Sequence, residues 1–458
     1  MSDAHPNTLM SHQDVERPLH VVYLTSGAAG MICGSCLHDN TLARALTKAG
    51  VDIQLAPTYT PIKTDEPDAS ESQVFFGGLN VYFAQKIPGY AWLPLWMTNW
   101  LDNPALLRWA TSFAIQTNAR DLGALAVSML EGESGRQRHQ VAKLANWLVS
   151  LPRIDVLHLT NLLIGGCIPT LKKRLNCPVV VTLQGDDIFL DYVPSPFREQ
   201  AIRALQRLVP HVDRFVVNSR DYGRRMADLL EIPANRWEVV PLTIDTADFE
   251  RASPWSPSPS PSPNSPLTIG YLARLAPEKG LHVLVDAFLE LKRRPGTESF
   301  RLAIAGWLGP RNRAYAAEQF DKLRTAGWGD AFEYLGEIDR RTKVEFLRQL
   351  DVFSVPTTYR DPKGLFVLES LAAGVPVVAP NHGAFPEMLE RLGGGLLVPP
   401  ADPIALADSL QALLTDESRR KTLGATGRAA VLDRANSKFL VDRTLALYGQ
   451  LLREASHR

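Results

Sequence analysis

The chain has 458 residues, and its 49 Lys and Arg are balanced by 49 Asp and Glu. At about 150 residues per domain, that length predicts two or three domains, each long enough to bury a core. A composition of 45% hydrophobic and 21% charged residues excludes a disordered, collagen-like or coiled-coil chain, and the zero net charge argues against a general nucleic-acid binder.

The chain opens on MSDAHPNTLMSHQDVERP, which lacks the basic-then-apolar order of a signal peptide and reads as a polar tail over 1–18. There is no apolar run of about 18 residues, so no membrane span is expected. Four cysteines do not make a disulfide framework. The cytoplasm is the expected compartment, with the inner face of the membrane as the alternative.

Apolar runs at 19–25, 51–56, 154–159, 179–183, 215–218 and 238–241 read as buried strands. Helical patterns such as 41–49, 168–175 and 196–208 lie between them. The stretch from about 88 to 148 breaks this alternation: it is largely helical in pattern, holds Trp92, Trp96, Trp100, Trp109 and Trp147, and reads as an insertion. Trp92, Trp96 and Trp100 recur every fourth residue, which fits either core packing or a sugar- or membrane-facing stripe, although Pro94 interrupts it. Arg198, Arg203, Arg207 and Arg214 fit either a solvated helix face or an anionic-lipid patch.

Ser253 to Pro266, SPWSPSPSPSPNSP, is almost entirely Ser and Pro and predicts a semi-extended linker. It divides a first domain over 19–252 from a second over 267–435, with a closing helix over 436–458 that returns towards the first domain. Beyond the linker, strands are expected at 268–272, 302–305, 332–335, 352–355, 375–379 and 396–398. Strands alternating with helices predict two parallel sheets with a cleft between them. Ligands of such sheets sit beyond the carboxyl ends of the strands, so the chemistry belongs on the loops that follow them.

Three of those loops hold candidates. In GYLARLAPEKG, Arg274 and Lys279 follow a strand and suit a diphosphate, or are two solvated cations. In DVFSVPTTYRDPKGLFVLESLAAGVPVVAP, Asp361 precedes a helix starting near Leu365 and Glu369 lies a turn inside it. Gly364 allows a close backbone approach at that helix start, whose leading N–H groups suit hydroxyls or phosphate oxygens. The alternative is a loop carboxylate and a solvated helix residue. In VVVTLQGDD, Gln184 ends a strand, and Asp186 and Asp187 could hold Mg2+ or serve the acceptor side or the fold.

Two further features have competing readings. His158, in DVLHLTN, is placed at a strand end facing the cleft, or is a core histidine. Cys33-Gly34-Ser35-Cys36 could be redox-active, bind zinc with His38 or resemble a papain-like C-G-S-C opening. No histidine lies between 166 and 186, where that protease pattern needs one, so a tight loop at a helix start, capped by Ser35, is the favoured reading.

Taken together, ARLAPEKG, DPKGLFVLESLAAGVPVVAP and VVPLTID resemble the family 4 glycosyltransferases, over most of the chain from about Val21 to Leu451. The resemblance implies an α/β fold of GT-B type, two facing Rossmann-like domains with parallel sheets and an interdomain cleft. It implies a retaining transfer from a nucleotide-diphosphate sugar, UDP- or GDP-linked, with no metal and no cofactor. It assigns the donor diphosphate to Arg274 and Lys279, the ribose hydroxyls to Glu369, and the transferred sugar to Asp361. Backbone donors at Gly364, Leu365 and Phe366 would meet sugar and phosphate. Gly306 and the N-domain loop glycine Gly30 would let the chain pass close to the donor, and Ile338 would contact the base. Asp361 stands where Glu is usual and Gln184 where His is usual, both on the sugar side; VVPLTID carries Leu242 and Thr243 where Asn and Gly are usual. The implied acceptor is a glycan, lipid or small molecule, with peripheral membrane contact a further expectation. A silent nucleotide-sugar-binding protein and an epimerase or phosphorylase of the same fold remain the alternatives.

Overall fold

The computed structural model describes residues 17–27, 34–71, 74, 119–251 and 266–457. Gly30, Cys33, the tryptophans at 92, 96, 100 and 109, and the Ser/Pro stretch up to residue 265 lie outside the described residues.

Six strands build the first sheet: β1 (His20–Thr25), β2 (Asp52–Pro57), β3 (Val156–Leu159), β4 (Val179–Thr182), β5 (Arg214–Val217) and β6 (Trp237–Val239). They are parallel throughout, in the order β2-β1-β3-β4-β5-β6. Six more build the second: β7 (Thr268–Leu272), β8 (Arg301–Ala305), β9 (Phe332–Tyr334), β10 (Val352–Phe353), β11 (Val377–Pro380) and β12 (Gly395–Val398). These too are parallel, in the order β12-β11-β10-β7-β8-β9. Valine, isoleucine and leucine runs such as Val179–Thr182 are buried at every position, which is what a strand covered on both faces requires.

The strand order reverses between β1 and β3 in one sheet and between β7 and β10 in the other. At such a point the following helices depart to opposite faces and leave a crevice at the strand ends. The loops after β7 and β10 are joined there by Gly280. Its φ is +74°, and a Cβ would lie 1.8 Å from the Pro356 carbonyl oxygen, so only glycine fits.

The tail of the proposed insertion is helical, with helices Ala119–Leu130 and Arg138–Ser150. Trp147 is partly buried against the first domain's core. The final helix, Ser437–Ser456, carries Leu440, Val441, Leu447, Tyr448 and Leu451 into the same cluster as Val21, Tyr23 and Leu46, so it belongs to the core of the first half. Among the described residues no helix is long and apolar enough to cross a membrane.

Candidate active site

Asp361 sits in the loop between β10 and the helix Leu365–Ala372 and is only 4% exposed. Its Oδ2 accepts hydrogen bonds from Lys279 Nζ and Tyr359 OH, both at 2.7 Å, and Lys279 Nζ also donates to Tyr359 OH at 2.5 Å. Its Oδ1 accepts from the backbone N–H groups of Lys363 and Gly364 at 3.0 and 3.2 Å. Burial pushes this carboxyl up, but Lys279, Tyr359 and the Lys363 amide outweigh it and hold its pKa at about 2. The loops after β7 and β10 thus meet in one fully satisfied charge cluster.

Gly364 adopts φ +71° as the residue that opens the helix. About one turn into the helix Glu369, 7% exposed, accepts from Lys343 Nζ at 2.5 Å. The same ammonium reaches Asp65 Oδ2 of the first domain, also at 2.5 Å. Burial favours the neutral lysine, but Glu369 and Asp65 together raise its pKa above the ordinary value. A second bridge lies beside it. Arg340 donates to Glu66 Oε1 at 3.2 Å and to the Asp245 carbonyl at 2.8 Å, while Arg44 donates to Glu66 Oε2 at 3.0 Å. The pocket between the halves is lined by Leu37, His38 and Glu66 on one side and Arg340, Leu365 and Glu369 on the other.

Arg274 lies next to this cluster but is paired with Glu278 at 2.6 Å and is more exposed than Lys279. Gly306, at φ +137°, packs against the chain itself: a Cβ there would lie 1.8 Å from the Ala273 carbonyl oxygen. Ile338 is a partly buried residue on the second core, followed by Asp339, whose side chain caps the helix Arg340–Arg348. Leu365 faces the start of the helix Gly34–Lys48, where a Cβ on Gly34 would be 3.2 Å from Leu365 Cδ1.

On the other wall, Gln184 follows β4. Its Nε2 donates to Asp39 Oδ1 at 2.9 Å, Thr160 Oγ1 at 2.8 Å and the Thr160 carbonyl at 3.0 Å. Asp39 is fully buried and also accepts from Tyr23 OH, Thr25 Oγ1 and Thr160 Oγ1 at 2.8, 2.7 and 2.6 Å. Burial raises its carboxyl, but the His38, Thr160 and Thr25 hydrogen bonds leave its pKa below the ordinary value. The Gln184 amide is therefore fixed with its Oε1 turned to the cleft.

Three readings of the sequence are corrected or decided by placement. His158 does not face the cleft: it is 2% exposed, and its ring nitrogens meet Tyr448 OH and Thr182 Oγ1, each at 2.7 Å. It still lies inside β3, and the strand's alternation turns it towards the face that the final helix covers. Burial lowers its pKa to about 3, so it is a neutral core histidine. Asp186 and Asp187 diverge: Asp186 accepts the Leu162 and Gln184 amides at 2.8 and 3.1 Å, and Asp187 pairs with Arg225. Cys36 is fully buried among Val21, Tyr23 and Leu46, the position of a core residue and not of an exposed nucleophile. Of the four arginines, Arg203 and Arg207 are exposed and Arg198 pairs with Asp191 on the helix surface, whereas Arg214 lies on β5, largely buried and paired with Glu238 and Glu454.

Asp39, Asp65, Glu66, Arg340 and Lys343 carry no motif and emerge only from the fold, while Tyr359 lies two residues before Asp361 in the same stretch. Lys363 sat in plain view inside DPKGLFVLES.

Two six-stranded parallel sheets facing a charged cleft define a GT-B architecture. Sucrose-phosphate synthase from Thermosynechococcus elongatus has this fold: it is similar with a TM-score of 0.67 and 19% identity, over 95% of this chain and all of that one. Residues 256–430 match the family "Glycosyl transferases group 1", and residues 40–243 the "Glycosyl transferase 4-like domain". A D-inositol 3-phosphate glycosyltransferase of Acidothermus cellulolyticus is 30% identical over 326 residues, 66% of this chain and 68% of that protein. One from Corynebacterium efficiens is 30% identical over 227 residues, 48% of this chain. The chain spans about half, 52%, of the length of that second relative. The chain belongs to the family 4 glycosyltransferases.

Proposed function

We propose that the protein transfers a sugar from a nucleoside-diphosphate donor, UDP- or GDP-linked, to an acceptor hydroxyl, with retention of configuration and without a metal. The observation that carries this reading is the buried Lys279–Asp361 pair, with Glu369 about one turn into the helix that follows Asp361. In this reading the donor diphosphate takes over Lys279, with Arg274 and the backbone N–H groups of Gly364, Leu365 and Phe366 adding charge stabilisation as the leaving group departs. Glu369 accepts the ribose hydroxyls, released from its share in Lys343. Asp361 and Gln184 orient sugar hydroxyls from opposite walls. Gln184 carries no titratable proton, so the departing diphosphate itself is the base for the incoming hydroxyl on the same face of the sugar.

Gly30, Gly306 and Ile338 belong to the donor site only as surroundings in this reading: Gly306 shapes the loop after β7 and Ile338 borders the base. The acceptor is a glycan, a lipid or a small molecule, and the names of the relatives make a phosphorylated polyol one acceptor to test. The cytoplasm, with peripheral membrane contact, is the proposed setting. A panel of UDP- and GDP-sugars, followed by nucleoside-diphosphate release with and without acceptors and by the anomeric configuration of the product, tests it. Turnover with an inverted product contradicts retention. Binding without turnover for every donor and acceptor favours a silent nucleotide-sugar-binding protein, the reading that Gln184, with no titratable proton, supports.

A further inference from the structure

The basic side chains at the cleft are nearly all spoken for. Lys279 is paired with Asp361, Lys343 with Asp65 and Glu369, Arg340 with Glu66 and Asp248, Arg44 with Glu66 and Asp245, and Arg274 with Glu278. Lys363 is different. It projects from the second domain across the cleft, and its Nζ meets two neutral oxygens of the first: Ser35 Oγ at 2.6 Å and Gln184 Oε1 at 3.5 Å. It has no carboxylate within ion-pair distance among the described residues. It is half-buried, and its own loop carboxylate, Asp361, is already saturated by Lys279, Tyr359 and two amides.

Its surroundings are also held in place. The Gln184 amide cannot turn a donor group towards Lys363's neighbourhood in place of its oxygen, because its nitrogen is committed to Asp39 and Thr160. Ser35 lies in the first turn of the helix Gly34–Lys48, and the position of a Gly34 Cβ is 4.0 Å from Lys363 Nζ. The result is an ammonium held between the two domains whose partners, among the described residues, are all uncharged. An ammonium in a partly desolvated place gains more from an anionic oxygen than from a neutral one, because the attraction between opposite charges strengthens where the effective dielectric falls.

We propose that Lys363, with Ser35, forms an anion subsite separate from the donor diphosphate site, and that it selects substrates bearing a carboxylate or phosphate beside the reacting sugar. This rests on the glycosyltransferase reading above. The anionic group has two possible sources: a uronate carboxylate on the transferred sugar, or a phosphate on the acceptor next to it. In either case Lys363 is a specificity residue that binds substrate and takes no part in bond making.

The test begins with the affinity of the wild-type chain and of Lys363→Met for UDP and GDP. Next come matched probes differing in one anionic group: the hexose against the hexuronate form of the nucleotide sugar, and myo-inositol against inositol phosphate as acceptors in transfer. The proposal expects the variant to keep its nucleoside-diphosphate affinity within about twofold. It expects the wild type to prefer the anionic member of one pair by about tenfold or more, the variant to lose that preference, and Lys363→Arg to restore part of it. The pair that responds identifies the source of the anion. No preference in either pair, or a preference that survives Lys363→Met, overturns the proposal. So does a large fall in UDP or GDP affinity in the variant, which would place Lys363 on the diphosphate. Failure of the wild type to bind either nucleotide instead overturns the donor-site reading, so the two failures are distinguishable. Unchanged thermal melting of the variant shows that it folds.

Discussion

At the scale of single residues, the site is a set of buried charges that support one another. Lys279 and Asp361 illustrate the consequence. Removing one member leaves the other charged and buried without its counter-ion, which costs about 3–5 kcal/mol in such pairs, less whatever Tyr359 and the Lys363 and Gly364 amides still supply to Asp361. Lys279→Met is therefore expected to lower stability by an amount in that range, and the double variant Lys279→Met/Asp361→Asn to recover part of it. Chemical denaturation of the single and double variants measures the coupling. His158 makes a pH-dependent contribution of known sign. Its folded pKa of about 3 lies below the unfolded value of about 6.5, so its share of stability is present above pH 6.5 and declines as pH falls towards 3. By pH 5 the loss is about 2 kcal/mol. His158→Gln should flatten that part of the stability profile between pH 7 and 5, whereas an unchanged slope would mean that His158 is not the group responsible. The placement of Lys279, Asp361 and Glu369 at the cleft was legible because one loop-helix unit holds the last two and a second loop faces it. Lys343, Asp65 and Asp39 were not, because their partners lie far along the chain and no local pattern reports a contact between distant elements.

At the scale of elements, the alternation of buried runs with helical stretches was legible strand by strand, because parallel strands covered on both faces must be apolar throughout. Boundaries moved by a residue or two: the run at 154–159 shortens to Val156–Leu159. That shift matters little for fold. For His158 it matters more, since being inside the strand or beyond it decides whether the ring meets core or cleft. The same scale sets the price of the junction between the loops after β7 and β10. Gly280→Ala forces a side chain into a left-handed backbone and against the Pro356 carbonyl. The backbone strain alone is about 1–3 kcal/mol, and relief of the clash must move the loop that carries Asp361. Thermal melting should show the loss, and donor affinity should fall with it. A variant as stable as the wild type, with unaltered donor binding, would show that the two loops are not mechanically joined.

At the scale of the whole molecule, the two halves meet through charge. Lys343 is shared between Asp65 of the first domain and Glu369 of the second, and Arg340 reaches Glu66 in the same way. These contacts span the cleft beside the pocket lined by Glu66, Arg340 and Glu369, so under the proposed function donor entry requires them to part. Asp65→Asn should loosen the halves and enlarge the radius of gyration measured by X-ray scattering, without altering the fold of either. An unchanged profile would assign closure to other contacts. The Ser/Pro stretch and the neutral total charge were both readable from the sequence, but neither revealed this pairing: a zero sum hides where opposite charges sit. The final helix ties the molecule together in another way, since Tyr448 and its neighbours complete the core of the first half although they follow the second in the chain.

The most direct test of the donor site is calorimetric titration of UDP and GDP into the wild type and into Glu369→Ala. One of the two nucleotides is expected to bind, and the substitution to weaken it about tenfold or more, as loss of hydrogen bonds to a charged group implies. Equal affinity in both proteins, or no binding of either nucleotide to the wild type, would contradict the account.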